Sequence, residues 1–167
     1  MNLYLVRHGE PEIKTYKGFP GPSLGKKGQI QAEAIAAYLK KENIQQVYTS
    51  DYARAKETLK PFQDLFPQIK IKEVQALRER ENELESHDSL VHRVHTWFDF
   101  NKAELLESNT AIFSHCGPIN MILTYLDPDK MIFDYPYEDT WGCHTPLGQL
   151  WNLKFEEGAC FGRLVVV

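Results

Sequence analysis

Leu3-Tyr4-Leu5-Val6-Arg7-His8-Gly9-Glu10 decides how this chain is read. The four apolar residues form a short buried strand. The strand ends in a histidine between an arginine and a glycine, which puts an imidazole at the carboxyl edge of a sheet. Open α/β sheets bind their ligands at that edge. Arg7 supplies fixed positive charge suited to a phosphoryl group. Gly9 lets the backbone turn tightly and approach a ligand closely. His8 is therefore read as a nucleophile that accepts a phosphoryl group.

Other parts of the chain supply partners for it. Val47-Tyr48-Thr49 is a second short strand, and it runs into Ser50-Asp51-Tyr52-Ala53-Arg54, where Ser50 or Asp51 has the chemistry of a helix cap. That reading puts Arg54 in the first helical turn, close to the strand end. Ala111-Ile112-Phe113 is a third strand, ending at Ser114-His115-Cys116-Gly117-Pro118. Pro118 suits a first helical position, so a helix is expected to begin there. His115 and the nearby backbone N–H groups would then face an anion. A parallel sheet would gather His8, Arg54 and His115 on one edge. After a further strand within Ile69–Val74 comes Leu77-Arg78-Glu79-Arg80-Glu81. Alone this is a solvated charge run; beside the other three elements, a carboxyl group here is placed to give a proton to a leaving oxygen.

In these residues the chain resembles the histidine phosphatase superfamily, in the branch similar to cofactor-dependent phosphoglycerate mutases and small phosphomonoesterases. The matching pieces are Arg7-His8-Gly9-Glu10, Leu24 to Ala32, Thr49-Ser50 with Arg54-Ala55 and Thr58, Leu77 to Arg80, and Ser114-His115. They stand in the family's order and span most of residues 1–126. The resemblance implies that His8 is phosphorylated, that Arg7, Arg54 and His115 hold the phosphoryl oxygens, and that Glu79 is the general acid.

That assignment is chemically coherent. Phosphoryl transfer has a loose transition state with charge spread over the equatorial oxygens, so catalysis is mostly positioning and electrostatics. Two guanidiniums match those oxygens as forks, and a doubly protonated His115 would add a third charged donor. Cationic side chains take the place of bound cations, so neither a metal nor a cofactor is expected. His8 must be neutral to attack, and the nearby arginines favour that by repulsion. Its other ring N–H is expected to bond a backbone carbonyl, fixing the tautomer.

The chain departs from the family pattern between Pro11 and Ser23, where an asparagine and an aspartate common among relatives are missing. Lys14 and Tyr16 in this segment, and His144 in the aromatic stretch Tyr135–Leu150, are the candidate substrate-binding residues. Tyr137 and Trp141 stand with His144, and these aromatics either line the leaving-group side of the pocket or cover the sheet edge; Phe19 stands with Lys14 and Tyr16. The short stretch between Val74 and Ala111 leaves room for only a small lid, which favours water as the acceptor and hence hydrolysis. A phosphoglycerate-type mutase and a catalytically silent phospho-ligand-binding domain are the alternatives. Cys116 stands where relatives often have glycine and reads as a small packed residue, or else as an oxidisable thiol beside a cationic pocket. Cys143 and Cys160 read as plain thiols.

The 167 residues, 43% of them hydrophobic, fit one domain over 1–167. A net charge of −4 argues against a nucleic-acid surface; the expected partner is a small phosphate ester. Met1 leads straight into a strand, and no apolar run reaches about 18 residues. No membrane association and a cytoplasmic location are expected, and the oligomeric state is open. The remaining elements read as helices over Leu24–Glu42 (Ile30, Ala34, Ala37 and Tyr38 on one face), Asp51–Phe66 (broken near Pro61 and Pro67), Ser86–Leu106 and Pro118–Leu126. Late strands follow at Gly148–Phe155 and Arg163–Val167. His92 and His95 stand a helical turn apart and read as a solvated face rather than metal ligands. The alternation predicts a three-layer α/β/α sandwich with a mostly parallel central sheet.

Overall fold

In a computed structural model, residues 1–13, 18–80 and 84–167 are described. The order is β1 (Asn2–Arg7), α1 (Lys26–Leu39), β2 (Gln46–Thr49), α2 (Ala53–Leu65), β3 (Lys70–Glu73), α3 (His87–Leu105), β4 (Thr110–Ser114), α4 (Cys116–Leu126), β5 (Leu150–Glu156) and β6 (Ala159–Val165). The sheet runs β3-β2-β4-β1-β5-β6. β3, β2, β4 and β1 are parallel, and β5 and β6 add an antiparallel edge. Helices cover both faces, giving the three-layer sandwich with its mostly parallel sheet.

The Leu3–Val6 run is apolar throughout because β1 is buried on both sides. Leu3 and Leu5 pack with Leu90, Val94 and Phe98 of α3 and Ile119 and Ile122 of α4. Tyr4 and Val6 point the other way, to Ile35 and Leu39 of α1 and Leu59 and Phe62 of α2. Strand register then aligns the carboxyl ends. Arg7 sits opposite Ser114 and Thr49 opposite Phe113. The ladder continues one step past the strands: the His8 N–H donates to the Ser114 carbonyl at 3.0 Å and the Ser50 N–H to the Phe113 carbonyl at 2.9 Å. His8, Ser50 and His115 therefore leave the sheet side by side.

Several boundaries and one face differ from the sequence reading. Ile30 is 71% exposed; the buried stripe of α1 is Gly28, Ala32, Ile35, Ala36 and Leu39. The helix turns this way because Gly28 presses on the first loop. A Cβ at Gly28 would stand 2.2 Å from the Glu10 carbonyl oxygen, and one at Gly9 2.5 Å from the Gly28 carbonyl oxygen. Pro61 lies inside an unbroken α2, whose buried Leu59 and Phe62 hold it across the missing hydrogen bond. α2 is capped by Tyr52 and not by Ser50 or Asp51. α4 begins at Cys116, two residues before Pro118. β6 begins at Ala159, not Arg163, after a two-residue turn in which Glu157 and Gly158 both take left-handed backbone, φ 49° and 82°. No helix among the described residues is long and apolar enough to cross a membrane.

Candidate active site

His8 is buried, and its ring has one available tautomer. A guanidinium can only donate, so the 3.1 Å contact between Arg54 Nε and His8 Nε2 makes Nε2 the acceptor. The proton is then on Nδ1, which donates to the Gly9 carbonyl at 2.8 Å. Burial, and then the charges of Arg54 and Arg7, hold His8 well below the ordinary histidine value, against the pull of the Gly9 carbonyl. The result is a neutral imidazole with its lone pair at Nε2. The loop beneath it is pinned through Thr58, whose hydroxyl accepts from the Gly9 N–H at 2.9 Å and donates to the Arg54 carbonyl at 2.7 Å. One side chain of α2 thus ties the histidine loop to the turn that carries Arg54.

Arg7 is anchored from behind. Its Nη1 donates to the Thr145 carbonyl at 2.7 Å and to Cys143 Sγ at 3.1 Å, while its Nε is buried with no hydrogen-bond partner among the described residues. His115, the cap residue of α4, is fully buried. Its Nε2 shares a 2.8 Å hydrogen bond with the Ser50 hydroxyl, and its Nδ1 is likewise buried with no partner among the described residues. Its ring lies 5.0 Å from that of His8 and 5.2 Å from that of Tyr52. Burial, followed by His8, Arg54 and Arg7, drives His115 well below the ordinary histidine value. With no anion present His115 is therefore a neutral ring, because burial and then the neighbouring groups that carry or can take positive charge outweigh any gain from a second proton; the doubly protonated form expected from sequence belongs to the site with a phosphoryl group in it. Only an anion brought among these groups would reverse the balance.

Glu79 follows a short 3-10 turn at Gln75–Leu77 and lies against the start of α4. Its carboxylate accepts from the Gly117 N–H at 3.2 and 3.4 Å and from the Arg80 N–H at 3.0 Å. The approach needs a glycine, because a Cβ at position 117 would stand 2.4 Å from Glu79 Oε1. Beside it opens a cleft of about 350 Å³, lined by Tyr52, Gln75, Ala76, Arg78, Glu79 and Arg93 among others. Its cations carry their own counterions. Arg78 pairs with both oxygens of Asp51 at 2.8 and 2.6 Å, and Arg93 with both oxygens of Glu85 at 2.8 and 2.6 Å. Phe19 packs edge-on to Tyr52, with its ring 4.3 Å from the Arg78 guanidinium.

The structure thus gathers His8, Arg7, Arg54, His115 and Glu79 around one sheet edge. His144 is not among them. It is buried, takes a hydrogen bond from Lys130 Nζ at 2.9 Å, gives one to the Tyr137 carbonyl at 3.2 Å and packs on Tyr135. Its ring ties a loop together, and only its backbone neighbours Cys143 and Thr145 reach Arg7. Lys14 and Tyr16 lie outside the described residues. Trp141 is 89% exposed, and His95 donates to the Met121 carbonyl at 2.9 Å, so both stand apart from the site. Sequence reasoning did not assign Ser50 to His115, Thr58 to the Gly9 N–H, or Cys143 and Thr145 to Arg7. Thr58 was within reach, being one helical turn after Arg54. Cys143, far along the chain from Arg7, had no local signal.

The family described as the histidine phosphatase superfamily (branch 1) matches residues 3–84. A probable phosphatase of Schizosaccharomyces pombe is 30% identical over 83 residues, 48% of this chain and 40% of that protein. A probable phosphoglycerate mutase of Photorhabdus laumondii is 38% identical over 61 residues, 35% of this chain and 28% of that protein. The chain thus aligns with less than half the length of these curated relatives. The crystal structure of an alpha-ribazole phosphatase from Shigella flexneri superposes with a TM-score of 0.77 over 99% of this chain and 96% of that one, at 20% identity. At that identity the superposition speaks for the fold alone.

Proposed function

Residues 3–84 belong to the histidine phosphatase superfamily, and from that premise we propose that this protein is a metal-independent phosphomonoester hydrolase acting on a small phosphorylated metabolite through a phosphohistidine. One observation carries the reading: a neutral, buried His8 with its lone pair at Nε2 stands among Arg7, Arg54 and His115. In the first step His8 Nε2 attacks phosphorus while the ester oxygen leaves with a proton from Glu79. Arg7 and Arg54 follow the charge on the equatorial oxygens. As the dianion enters, His115 gains a proton or offers Nδ1–H to an oxygen. In the second step Glu79 takes a proton from water, which attacks the phosphohistidine, and phosphate departs from a restored His8.

The relative named as a phosphoglycerate mutase supports a second reading, in which a second hydroxyl replaces water. Hydrolysis of an activated aryl phosphate, with a chelator present, separates the outcomes when wild type is compared with His8→Ala. Activity that survives the chelator and vanishes in the variant supports the hydrolase. Activity lost to the chelator overturns metal independence. A wild type that hydrolyses nothing yet becomes phosphorylated on His8 by a labelled donor supports the mutase. A wild type that binds phosphate esters but takes up no label supports a binding domain.

A further inference from the structure

Cys116 and Cys143 meet behind the anion pocket. Cys116 is the first residue of α4, directly after His115. Cys143 is fully buried in the loop that leads to β5. Asn120 stands one turn along α4 from Cys116, on the same face, and it clamps that loop. Its amide donates to the Gly142 carbonyl at 2.7 Å and its carbonyl accepts from the His144 N–H at 3.3 Å. Cys143 is therefore held against the face of α4 that carries Cys116, close enough that each thiol is the first influence on the other's ionisation. Arg7 completes the cluster through its contact with Cys143 Sγ.

The two sulfurs are unequal. The neighbouring Cys116 thiol lowers the Cys143 thiol, and Arg7 lowers it further against the effect of burial. The neighbouring Cys143 sulfur, with burial, drives Cys116 far up. Cys143 is thus the sulfur that ionises, and the half-buried Cys116 is its resolving partner. Cys160 lies away on β6, its thiol raised by burial to about 11.

We infer that Cys116 and Cys143 are a modification site, closed by peroxide into a reversible disulfide that disarms the anion pocket through Arg7. The consequence for the pocket rests on the function proposed above. Cys143 thiolate attacks one peroxide oxygen, the O–O bond breaks, and the departing hydroxide takes a proton to become water. Cys116 sulfur then attacks the sulfenic sulfur, the S–O bond breaks, and the second hydroxide leaves as water with the Cys116 proton. Two thiols and one peroxide give one disulfide and two waters. An S–S bond of about 2.05 Å draws Cys143 Sγ towards α4 and away from Arg7 Nη1, and it ends any thiolate charge that the guanidinium could meet. Arg7 then keeps only the Thr145 carbonyl, and its position beside His8 is lost.

The test is peroxide treatment of the purified protein, read by mass spectrometry of the non-reduced digest and by calorimetry of inorganic phosphate binding. The expected result is a linked peptide pair joining 116 to 143, and phosphate binding at least about tenfold weaker, the scale of one charge-assisted hydrogen bond. Dithiothreitol restores both, and Cys160→Ser behaves as wild type. Cys116→Ser binds phosphate normally and keeps its affinity under peroxide. No linked pair, a linked pair with unchanged affinity, or an equal loss of affinity in Cys116→Ser overturns the inference. Untreated protein that binds no phosphate would sink the proposed function instead, while the linked pair would still report whether the disulfide forms.

Discussion

Arg54 Nε donates to His8 Nε2 across 3.1 Å, and Nε2 is the nitrogen left with a lone pair once Nδ1 has given its proton to the Gly9 carbonyl. The guanidinium therefore occupies the line along which a phosphorus atom has to approach. Under the proposed mechanism Arg54 exchanges one partner for another: it holds the ring neutral and oriented, then turns its N–H groups to the incoming oxygens. The contact serves as preorganisation, because it sets the tautomer before any substrate is present.

Replacing His8 with alanine is expected to abolish aryl phosphate hydrolysis by on the order of a thousandfold or more, the scale seen when a covalent nucleophile is removed. The fold is expected to survive, because His8 sits at the strand end and its backbone bond to Ser114 is retained. Activity assays beside circular dichroism check both halves. A variant that keeps most of its activity would falsify the nucleophile assignment.

Glu79→Gln is expected to slow esters of poorly acidic alcohols more than activated phenyl esters, which leave with little protonation. The glutamine keeps the acceptor that meets the Gly117 N–H, so placement is preserved while proton transfer is not. Rates plotted against leaving-group acidity are the measurement. Equal losses along the series would remove Glu79 as the acid.

Gly117→Ala separates position from chemistry. Alanine is favoured in a helix by roughly 1 kcal/mol over glycine, so local helix stability argues for the change. The added methyl, however, would stand 2.4 Å from Glu79 Oε1 and must push the carboxylate out of line. We expect a melting temperature near that of wild type, a rate about tenfold or more lower on poor leaving groups, and little change on activated ones. A uniform rate across both ester classes would show that Gly117 does not position Glu79.

Asp127 closes α4 and organises the loop behind the site. It is buried and accepts from the N–H groups of Met131, Ile132 and Phe133 and from the Tyr135 hydroxyl. These bonds outweigh burial and leave its carboxyl below the ordinary range. Asp127→Ala strands those donors and is expected to cost about 3 kcal/mol, read as a shift of the urea midpoint. A loss under about 0.5 kcal/mol, the range of ordinary surface substitutions, would mean that the loop is held by other contacts.

Much of this site was legible because its residues sit at strand ends. An apolar run followed by Arg7-His8-Gly9 and another followed by Ser114-His115 state both the element and its last residue, and parallel pairing does the rest. What stayed hidden depends on distance. Ile30 looked like a core residue by composition, yet the close passage of Gly9 against Gly28 rotates α1 and turns Ile30 to solvent. The protonation of His115 depends on how deeply the sheet edge is covered and how many cations share it, and local spacing carries neither quantity. His144 looked like a pocket residue among aromatics, but Lys130 and Tyr135 reach it first.

The two site histidines also make stability depend on pH in a defined window. Burial comes first among the causes that hold His8 well below the ordinary value of 6.5, and the same holds for His115. Both are neutral when folded, whereas in the unfolded chain each takes a proton as the pH drops through about 6.5. Below that point the unfolded state binds more protons, so the folded state loses stability as the pH falls. The contribution is complete above about 6.5 and drains away towards the depressed folded values. Asp51 and Glu85, held low first by their hydrogen bonds to Arg78 and Arg93, add a similar loss only in the acid range of carboxylates. Melting temperature is therefore expected to fall between pH 7 and pH 5, less steeply in His115→Asn. Saturating phosphate should flatten the slope, since its negative charge lets His115 keep a proton in the folded state. Thermal melts at closely spaced pH values, with and without phosphate, are the measurement. A flat profile over that interval, or an identical slope in His115→Asn, would mean that the buried imidazoles do not titrate as the geometry requires.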